Sequence, residues 1–463
     1  MSDDKQTLET PALSTTVLSH GHILHSLLAK PHPDSDQQHD LLVGFANPDD
    51  HHHSVARSFF NAAVGRYANR LPSGELKLAS GAVMHLPGAA GVCLHGGESG
   101  FDTLPWTPIA RPDSSLFPAE DQDHVVPPPA SDPAAPITES SSLHRLYSPA
   151  GADGFPCSLE VEALVTVLAP KEGETRVEGR KGRTLGTAKV VFRAKIREDG
   201  DEGIKKGTPI NLTMHWGFRL DNDRDPNVLG HRLYLASDKA VTLDEQGLST
   251  GEVAEIKAGS ELDFYSEGLE GEHRTIGERY PKGGIDRNFL FKTPPPSLIR
   301  PTGSARLSTQ PQAILTSPAA PSSTPQYQLR FTSNQPSVQV YTASSLDSTG
   351  PARKAARGSS STNSTLNNAD VEHPSAQDDE GEGVGVGYPK DGAIFLEFHA
   401  PVGAFLHAQR SSGKEQTSLG RFMEERAKER KALDEGRGWE VDSVLNKGEV
   451  YENWVEVEVV VLD

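Results

Sequence analysis

Residues 454–459 read WVEVEV, a run in which apolar and acidic side chains alternate with the two-residue period of a β-strand. The same kind of alternation recurs in residues 159–163 (LEVEA), 189–193 (KVVFR), 328–332 (QLRFT) and 337–341 (SVQVY). Pairs of residues typical of turns separate these runs at short intervals, in a chain with 43 Gly and 34 Pro. The pattern predicts an all-β fold that runs from residue 15 to the end.

The composition indicates that part of the chain lies outside any core, since only 35% of its 463 residues are hydrophobic. We expect a flexible N-terminus at residues 1–14, followed by one large domain at 15–463. Stretches rich in Pro, Ser, Thr and acidic residues predict insertions at 107–145, 295–326 and 343–390. The last of these has almost no apolar residue, so it is expected to be disordered.

One segment has the period of a helix rather than of a strand. At residues 415–437, Leu419, Phe422 and Met423 recur on one face among Glu, Arg and Lys. This pattern predicts an amphipathic surface helix inserted between the last strands.

The net charge and the absence of targeting signals indicate which partners and which cellular compartment to expect. The net charge of −19 argues against a nucleic acid or an anionic membrane as partner. No apolar run reaches the length of about 18 residues that would predict a membrane-spanning helix, and the acidic N-terminus predicts no secretory signal. Two cysteines, Cys93 and Cys157, are too few for a disulfide framework or a thiolate zinc site. We therefore expect a cytoplasmic protein, a monomer or weak dimer.

Several polar motifs follow one another along the chain. Residues 65–71 read GRYANRL, 94–102 read LHGGESGFD, 211–216 read NLTMHW, 284–288 read GIDRN and 396–401 read LEFHAP. Each motif is weak alone, but in this order the sequence resembles the aldose 1-epimerase (galactose mutarotase) family. The resemblance implies a galactose mutarotase-like distorted β-sandwich of antiparallel strands, with the sugar in an open cleft.

The reaction of that family sets a chemical requirement. Interconverting the α and β anomers of a hexose opens the hemiacetal ring, so a base must deprotonate the anomeric hydroxyl while an acid protonates the ring oxygen. A carboxylate and an imidazole on opposite sides of the sugar meet this requirement. By resemblance, Glu397 is the base and His215 the acid of an isomerase that needs no cofactor and no metal.

The resemblance also implies the residues that bind the aldose substrate. They are matched to the family's motifs one by one: Asn69, Arg70, His95, Asp286 and Gln339. An aromatic ring such as Trp216 or Phe218 is expected to stack on the C–H face of the sugar. Arg66 is interpreted as bracing its turn rather than binding the sugar.

Glu397 and His215 also have interpretations that involve no catalysis. A lone Glu at a strand end usually faces solvent, and a lone His is usually a satisfied core residue. The flanking aliphatic residues of Glu397, however, predict partial burial and a raised pKa. The chain departs from the family in Met214, Trp216 and His399, which puts the sugar preference in question. A hexose-6-phosphate 1-epimerase, which would need an Arg/Lys cluster, and a non-catalytic sugar-binding or regulatory protein are the alternatives.

Overall fold

A computed structural model provides the coordinates and describes most of the chain. The described residues are 5–32, 34–53, 57–78, 81–118, 139–170, 182–197, 207–221, 225–269, 271–292, 310–319, 324–349, 351–354, 387–408, 416–433 and 442–462. Within them, strands dominate, as the alternation of the sequence predicts. None of their helices is both long enough and apolar enough to cross a membrane.

The regular elements are numbered in chain order. The strands of the N-terminal half are β1 (Lys5–Glu9), β2 (Leu13–Leu18), β3 (Ile23–Ala29), β4 (His39–Asp40), β5 (Ala63–Val64), β6 (Arg70–Pro72), β7 (Gly74–Lys77), β8 (Val83–Leu86), β9 (Val92–Leu94), β10 (Thr107–Pro108), β11 (Glu139–Ser148), β12 (Leu159–Leu168), β13 (Arg183–Ile196), β14 (Thr208–Pro209), β15 (Thr213–Met214) and β16 (Trp216–Phe218). Those that follow are β17 (Arg232–Leu235), β18 (Ser237–Leu243), β19 (Ser249–Glu255), β20 (Asp286–Phe291), β21 (Ala313–Thr316), β22 (Gln326–Ser333), β23 (Ser337–Tyr341), β24 (Ile394–His399), β25 (Val444–Leu445) and β26 (Tyr451–Leu462). The helices are α1 (Asp50–His53), α2 (Ala404–His407) and α3 (Ser418–Leu433), with 3-10 turns at Phe101–Thr103, Arg111–Asp113 and Ala152–Gly154.

Two large antiparallel sheets form the body of the fold. The eight-stranded sheet has the order β10-β11-β12-β13-β26-β22-β21-β17, and the six-stranded sheet has the order β16-β24-β23-β20-β18-β19. Strands β1 to β4 form a third sheet, and the short strands pair as β5 with β15, β6 with β9, β7 with β8 and β14 with β25. Strands distant in sequence are thus neighbours in space.

The core lies between the two large sheets. Phe331 of β22 packs against Phe398 of β24, with ring centroids 5.5 Å apart, and against Phe218 of β16 at 5.3 Å. Because side chains alternate between the faces of a strand, the residues next to Phe398 and Phe218 in sequence point away from the core. This alternation gives the six-stranded sheet a second face, on which the polar residues of β24 and β23 lie.

Several predicted boundaries differ from the structure. Residues 5–9, expected within a flexible terminus, form β1 and pair with β2, so that expectation does not hold for them. Strand β10 and the first half of β11 lie inside the predicted insertion 107–145, and β21 lies inside 295–326. Each of these strands pairs with a neighbour in the eight-stranded sheet, and the composition of the segment does not reveal that pairing. The segments 119–138, 293–309 and 355–386 lie outside the described residues.

The predicted helical insertion at 415–437 contains α3 (Ser418–Leu433). Leu419, Phe422 and Met423 are all buried, in one apolar cluster with Val241 of β18 and Leu290 of β20. The helix therefore packs against the six-stranded sheet through the face that the sequence pattern predicts.

Candidate active site

The candidate site lies on the face of the six-stranded sheet that points away from the core. The antiparallel register places Gln339 of β23 directly opposite Glu397 of β24, and Asn288 of β20 directly opposite Gln339. On the other side of β24, Trp216 pairs with Leu396, so His215, just before β16, lies beside Glu397. Directly opposed residues share a face, and the four polar side chains therefore form a row across neighbouring strands.

At the centre of the row, His215 and Glu397 are in direct contact. His215 Nε2 lies 3.3 Å from Glu397 Oε1, and their side chains are only 7% and 3% exposed. From the sequence we expect a sugar between an acid and a base on its two sides. The distance leaves no room for a sugar between these two atoms, so the structure does not place the two groups on opposite sides of a sugar.

Burial sets the charge state of this pair. It raises the pKa of Glu397 to about 8, with the charge of Asp286 adding to the effect. Burial also lowers the pKa of His215 to about 3, and His399 contributes in the same direction. Between these two pKa values the pair holds one proton, which resides on Glu397. The raised pKa agrees with the prediction made from the flanking aliphatic residues.

His95 stands next to this pair, in the turn after β9. Its ring centroid is 5.3 Å from that of His215, in an edge-on arrangement. The backbone N–H of Asn69 donates to His95 Nδ1 at 3.2 Å, so the hydrogen of the neutral ring is on Nε2. Burial, followed by the nearby His215, lowers the pKa of His95 well below its usual value. His95 is thus a neutral donor, suited to a sugar oxygen.

The remaining predicted residues form a chain of polar contacts that ends beside the row. Arg70 Nη1 lies 3.3 Å from Asp286 Oδ2, and Gln339 Nε2 donates to Asp286 Oδ1 at 2.5 Å. The Asn69 side chain accepts from the backbone N–H of Arg70 at 2.9 Å. Arg70 and Asp286 are partly exposed, with side chains 29% and 36% accessible. The structure therefore brings all seven predicted residues to one place, and Asn69 among them is buried.

Several buried polar atoms on this face have no hydrogen-bond partner among the residues that the structure describes. They are Glu397 Oε2, Gln339 Oε1, His215 Nδ1, His399 Nε2 and both side-chain polar atoms of Asn288. Buried polar atoms in native proteins are nearly always paired, so a concentration of such atoms in one row is typical of a site for a polar ligand. Asn288 belongs to the quoted GIDRN motif, but nothing in the motif alone distinguished its side chain from that of Asp286.

The prediction of a stacking role for Trp216 or Phe218 is wrong. Both rings are fully buried on the core face of the sheet, because β16 points them toward β22. The aromatic rings that contact the catalytic candidates are instead Phe395, 4.7 Å from the His215 ring, and Phe59, 4.6 Å from the His95 ring. Phe59 precedes the GRYANRL motif, and no sequence signal marked it.

Arg66 has the structural role expected from the sequence. It is buried, and its guanidinium donates to Ser148 Oγ and to the carbonyl oxygens of Pro156 and Cys157 at 2.7 to 2.9 Å. Two further donations reach the carbonyls of Ser148 and Pro149. Arg66 therefore anchors the turn between β11 and β12 to the site-bearing motif.

The donor set includes ligands that could hold a metal ion. One donor atom each of His95, His215 and Glu397 lies within 4.8 Å of the others, the one such group among the described residues. Two imidazoles and a carboxylate are a donor set that zinc accepts. The absence of a metal requirement, expected from the reaction, stays a prediction.

The chain is similar in sequence to known aldose epimerases. A family profile described as aldose 1-epimerase matches residues 183–378. The galactose mutarotase of Mus musculus is 26% identical over 351 residues, which are 75% of this chain and 79% of that protein. The aldose 1-epimerase of Escherichia coli is 24% identical over 254 residues, 55% of this chain and 58% of that one.

Solved structures show the same fold. An aldose epimerase homologue from C. elegans superposes with a TM-score of 0.60 at 15% identity, covering 99% of both chains. A galactose 1-epimerase from Lactobacillus acidophilus gives a TM-score of 0.57 at 18% identity, covering 98% of this chain and 93% of that one. The predicted galactose mutarotase-like fold is confirmed. The matched profile and the curated relatives show that this chain is similar in sequence to the aldose 1-epimerase family.

Proposed function

We propose that this protein is an aldose 1-epimerase that interconverts the α and β anomers of hexoses such as galactose and glucose. The observation that carries the proposal is the buried pair of Glu397 and His215, whose Oε1 and Nε2 atoms are 3.3 Å apart. A pair that holds one proton contains one group able to accept a proton and one able to donate it, which is what ring opening requires.

The steps balance without any other reactant. Glu397 accepts the proton of the anomeric hydroxyl, the bond between C1 and the ring oxygen breaks, and His215 protonates that oxygen. Rotation of the open-chain aldehyde about the C1–C2 bond presents its other face, and closure runs the two proton transfers in reverse. His95 donates from Nε2 to a sugar oxygen and orients the ring.

For Glu397 to act as the base, its proton has to move to His215 when the sugar binds. In the sugar-free site the proton is on Glu397, whose pKa is about 8. The anomeric hydroxyl is a hydrogen-bond donor, and donation to the carboxylate stabilises its charged form and lowers its pKa. The proton then passes over 3.3 Å to His215. After this transfer Glu397 is ionised and can act as the base, and His215 is protonated and can act as the acid.

The neutral-sugar reaction is favoured over the phosphosugar reaction by the pairing of nearby cations. The guanidinium of Arg70 is beside Asp286, and that of Arg57 is bound to Asp102. A phosphate at this cleft would have to compete with these carboxylates. A non-catalytic sugar-binding protein would have no need of an acid and a base in contact.

Polarimetry tests the proposal. Wild type should accelerate the approach to equilibrium of freshly dissolved α-D-galactose and α-D-glucose, and Glu397→Gln should lose roughly 10²- to 10⁴-fold of that rate. Glu255→Gln, an exposed glutamate of β19 in the same sheet, is the matched control and should keep the rate. If wild type accelerates neither sugar, the proposal fails, and glucose 6-phosphate becomes the next substrate to test.

A further inference from the structure

The ring of Phe59 occupies an unusual place for an aromatic residue. Its centroid lies 4.6 Å from that of His95 and 5.9 Å from that of His215. Unlike Phe60, which is buried in an apolar cluster with Phe45 and Phe395, Phe59 is partly exposed. Its φ of 57° is in the left-handed region that a phenylalanine rarely adopts. Such a conformation persists only where surrounding contacts hold it.

Arg57 supplies these contacts. Its guanidinium carbon lies 4.6 Å from the centroid of the Phe59 ring, a cation–π arrangement. Arg57 Nε donates to Asp102 Oδ2 at 2.6 Å, Nη2 donates to the other oxygen of the same carboxylate, and Nη1 donates to the carbonyl of Gly97 at 2.6 Å. A bidentate pair of this kind fixes the plane of the guanidinium.

The partner groups belong to the LHGGESGFD motif that also carries His95. Asp102 is buried in the 3-10 turn Phe101–Thr103, and a side-chain carbon on Gly100 would collide with Arg57 Nη2 and with the carbonyl of His95. The turn is therefore built closely around the guanidinium. It connects the position of Phe59 to the loop that sets His95.

We propose that Phe59 is a substrate-binding residue that forms the apolar wall of the cleft beside His95 and His215, and that Arg57, fixed by Asp102, is the positioning residue that holds it. The inference rests on the proposed sugar site. A hexose carries C–H groups between its hydroxyls, and the polar residues of the sheet cannot bind them favourably. An aromatic ring at the imidazole side of the cleft supplies the apolar contact that Trp216 and Phe218 cannot reach.

The test compares two adjacent phenylalanines in full-length protein. Phe59→Leu should raise KM for galactose and for glucose roughly tenfold, with a smaller change in kcat. Phe60→Leu, the matched control in the core, should lower the melting temperature and leave KM unchanged. Unchanged KM in folded Phe59→Leu protein would overturn the inference.

The positioning role of Arg57 has its own readout. Arg57→Lys loses the bidentate geometry, so its KM should rise in the same direction, and the double variant Arg57→Lys/Phe59→Leu should add little to Phe59→Leu alone. Additive effects of the two substitutions would overturn the role of Arg57. Circular dichroism of each variant shows whether it is folded.

A binding measurement separates this inference from the proposed function. In saturation-transfer NMR, the ring C–H protons of galactose should receive saturation from the wild-type protein. The same protons should give a weaker signal with the Phe59→Leu variant. If the NMR result is obtained but wild type has no mutarotase activity, Phe59 is a sugar-binding residue and the proposed catalytic function is wrong. Equal signals for both proteins, or no galactose binding by wild type, would overturn the Phe59 site.

Discussion

Glu397 and His215 lie beside each other on adjacent strands, with Oε1 and Nε2 3.3 Å apart and both side chains almost fully buried. Because burial raises the pKa of the acid and lowers that of the imidazole, the pair is electrically neutral between pH values of about 3 and about 8. A neutral pair is the form in which two such groups can share a buried site without a large desolvation cost.

The first prediction concerns the pH dependence of catalysis. We expect kcat/KM for mutarotation to be constant at mildly acidic and neutral pH and to fall as pH rises through about 8, because the pair then loses the proton of Glu397. Polarimetry at constant ionic strength measures the profile. A rate that rises through pH 8 would contradict the single-proton pair.

The second prediction concerns the pH dependence of the free energy of unfolding, which follows from the raised pKa of Glu397. Glu397 has a folded-state pKa raised to about 8 from an ordinary value of 4.5, so the folded state binds the proton more tightly. The contribution of Glu397 to the free energy of unfolding is therefore fully present below pH 4.5. It is lost as pH rises through about 8. Relative to wild type, Glu397→Gln should gain about 5 kcal/mol of unfolding free energy between these limits.

Denaturant unfolding of both proteins across that pH range measures this difference. Glu255→Gln, an exposed position, should show none of it. A constant difference between wild type and Glu397→Gln would mean that the carboxyl is not protonated in the folded protein at neutral pH.

The third prediction separates structure from binding in the GRYANRL motif. Arg66→Lys should destabilise the protein by about 3 kcal/mol, because an ammonium cannot reach the several carbonyls that the buried guanidinium contacts. Where the variant is folded, KM should stay near that of wild type. Arg421→Lys is the control, since this exposed guanidinium donates to one carbonyl, that of Gln416. A raised KM with unchanged thermal stability would instead make Arg66 a binding residue.

The fourth prediction concerns metals. Removal of divalent ions with a chelator should leave the mutarotation rate unchanged, because proton transfer by Glu397 and His215 needs no Lewis acid. Added Zn²⁺ should inhibit in competition with the sugar, since donor atoms of His95, His215 and Glu397 lie within 4.8 Å of one another. Mg²⁺, which prefers oxygen ligands, is the control ion and should not inhibit. Loss of activity on chelation would show that a metal takes part.

The strands and the polar residues of the candidate site could be predicted from the sequence. Alternation such as WVEVEV is local, so it was visible without knowledge of any partner strand, and it is confirmed in β26. The motif order brought out Asn69, Arg70, His95, His215, Asp286, Gln339 and Glu397, all of which the structure places together. The period of Leu419, Phe422 and Met423 likewise predicted the buried face of α3.

How these residues face one another depends on contacts between strands that are distant in sequence. Alternation shows that Trp216 and His215 lie on opposite faces, but which face is buried depends on the sheet that packs against it, in this fold through Phe331 of β22. The contact of Arg57 with Asp102 joins positions 45 residues apart and has no local pattern. The flanking aliphatic residues predict the direction of the Glu397 pKa shift, but its size, to a pKa of about 8, depends on burial by neighbouring strands. Pairing and desolvation arise between segments distant in sequence, and so they are properties of the folded chain.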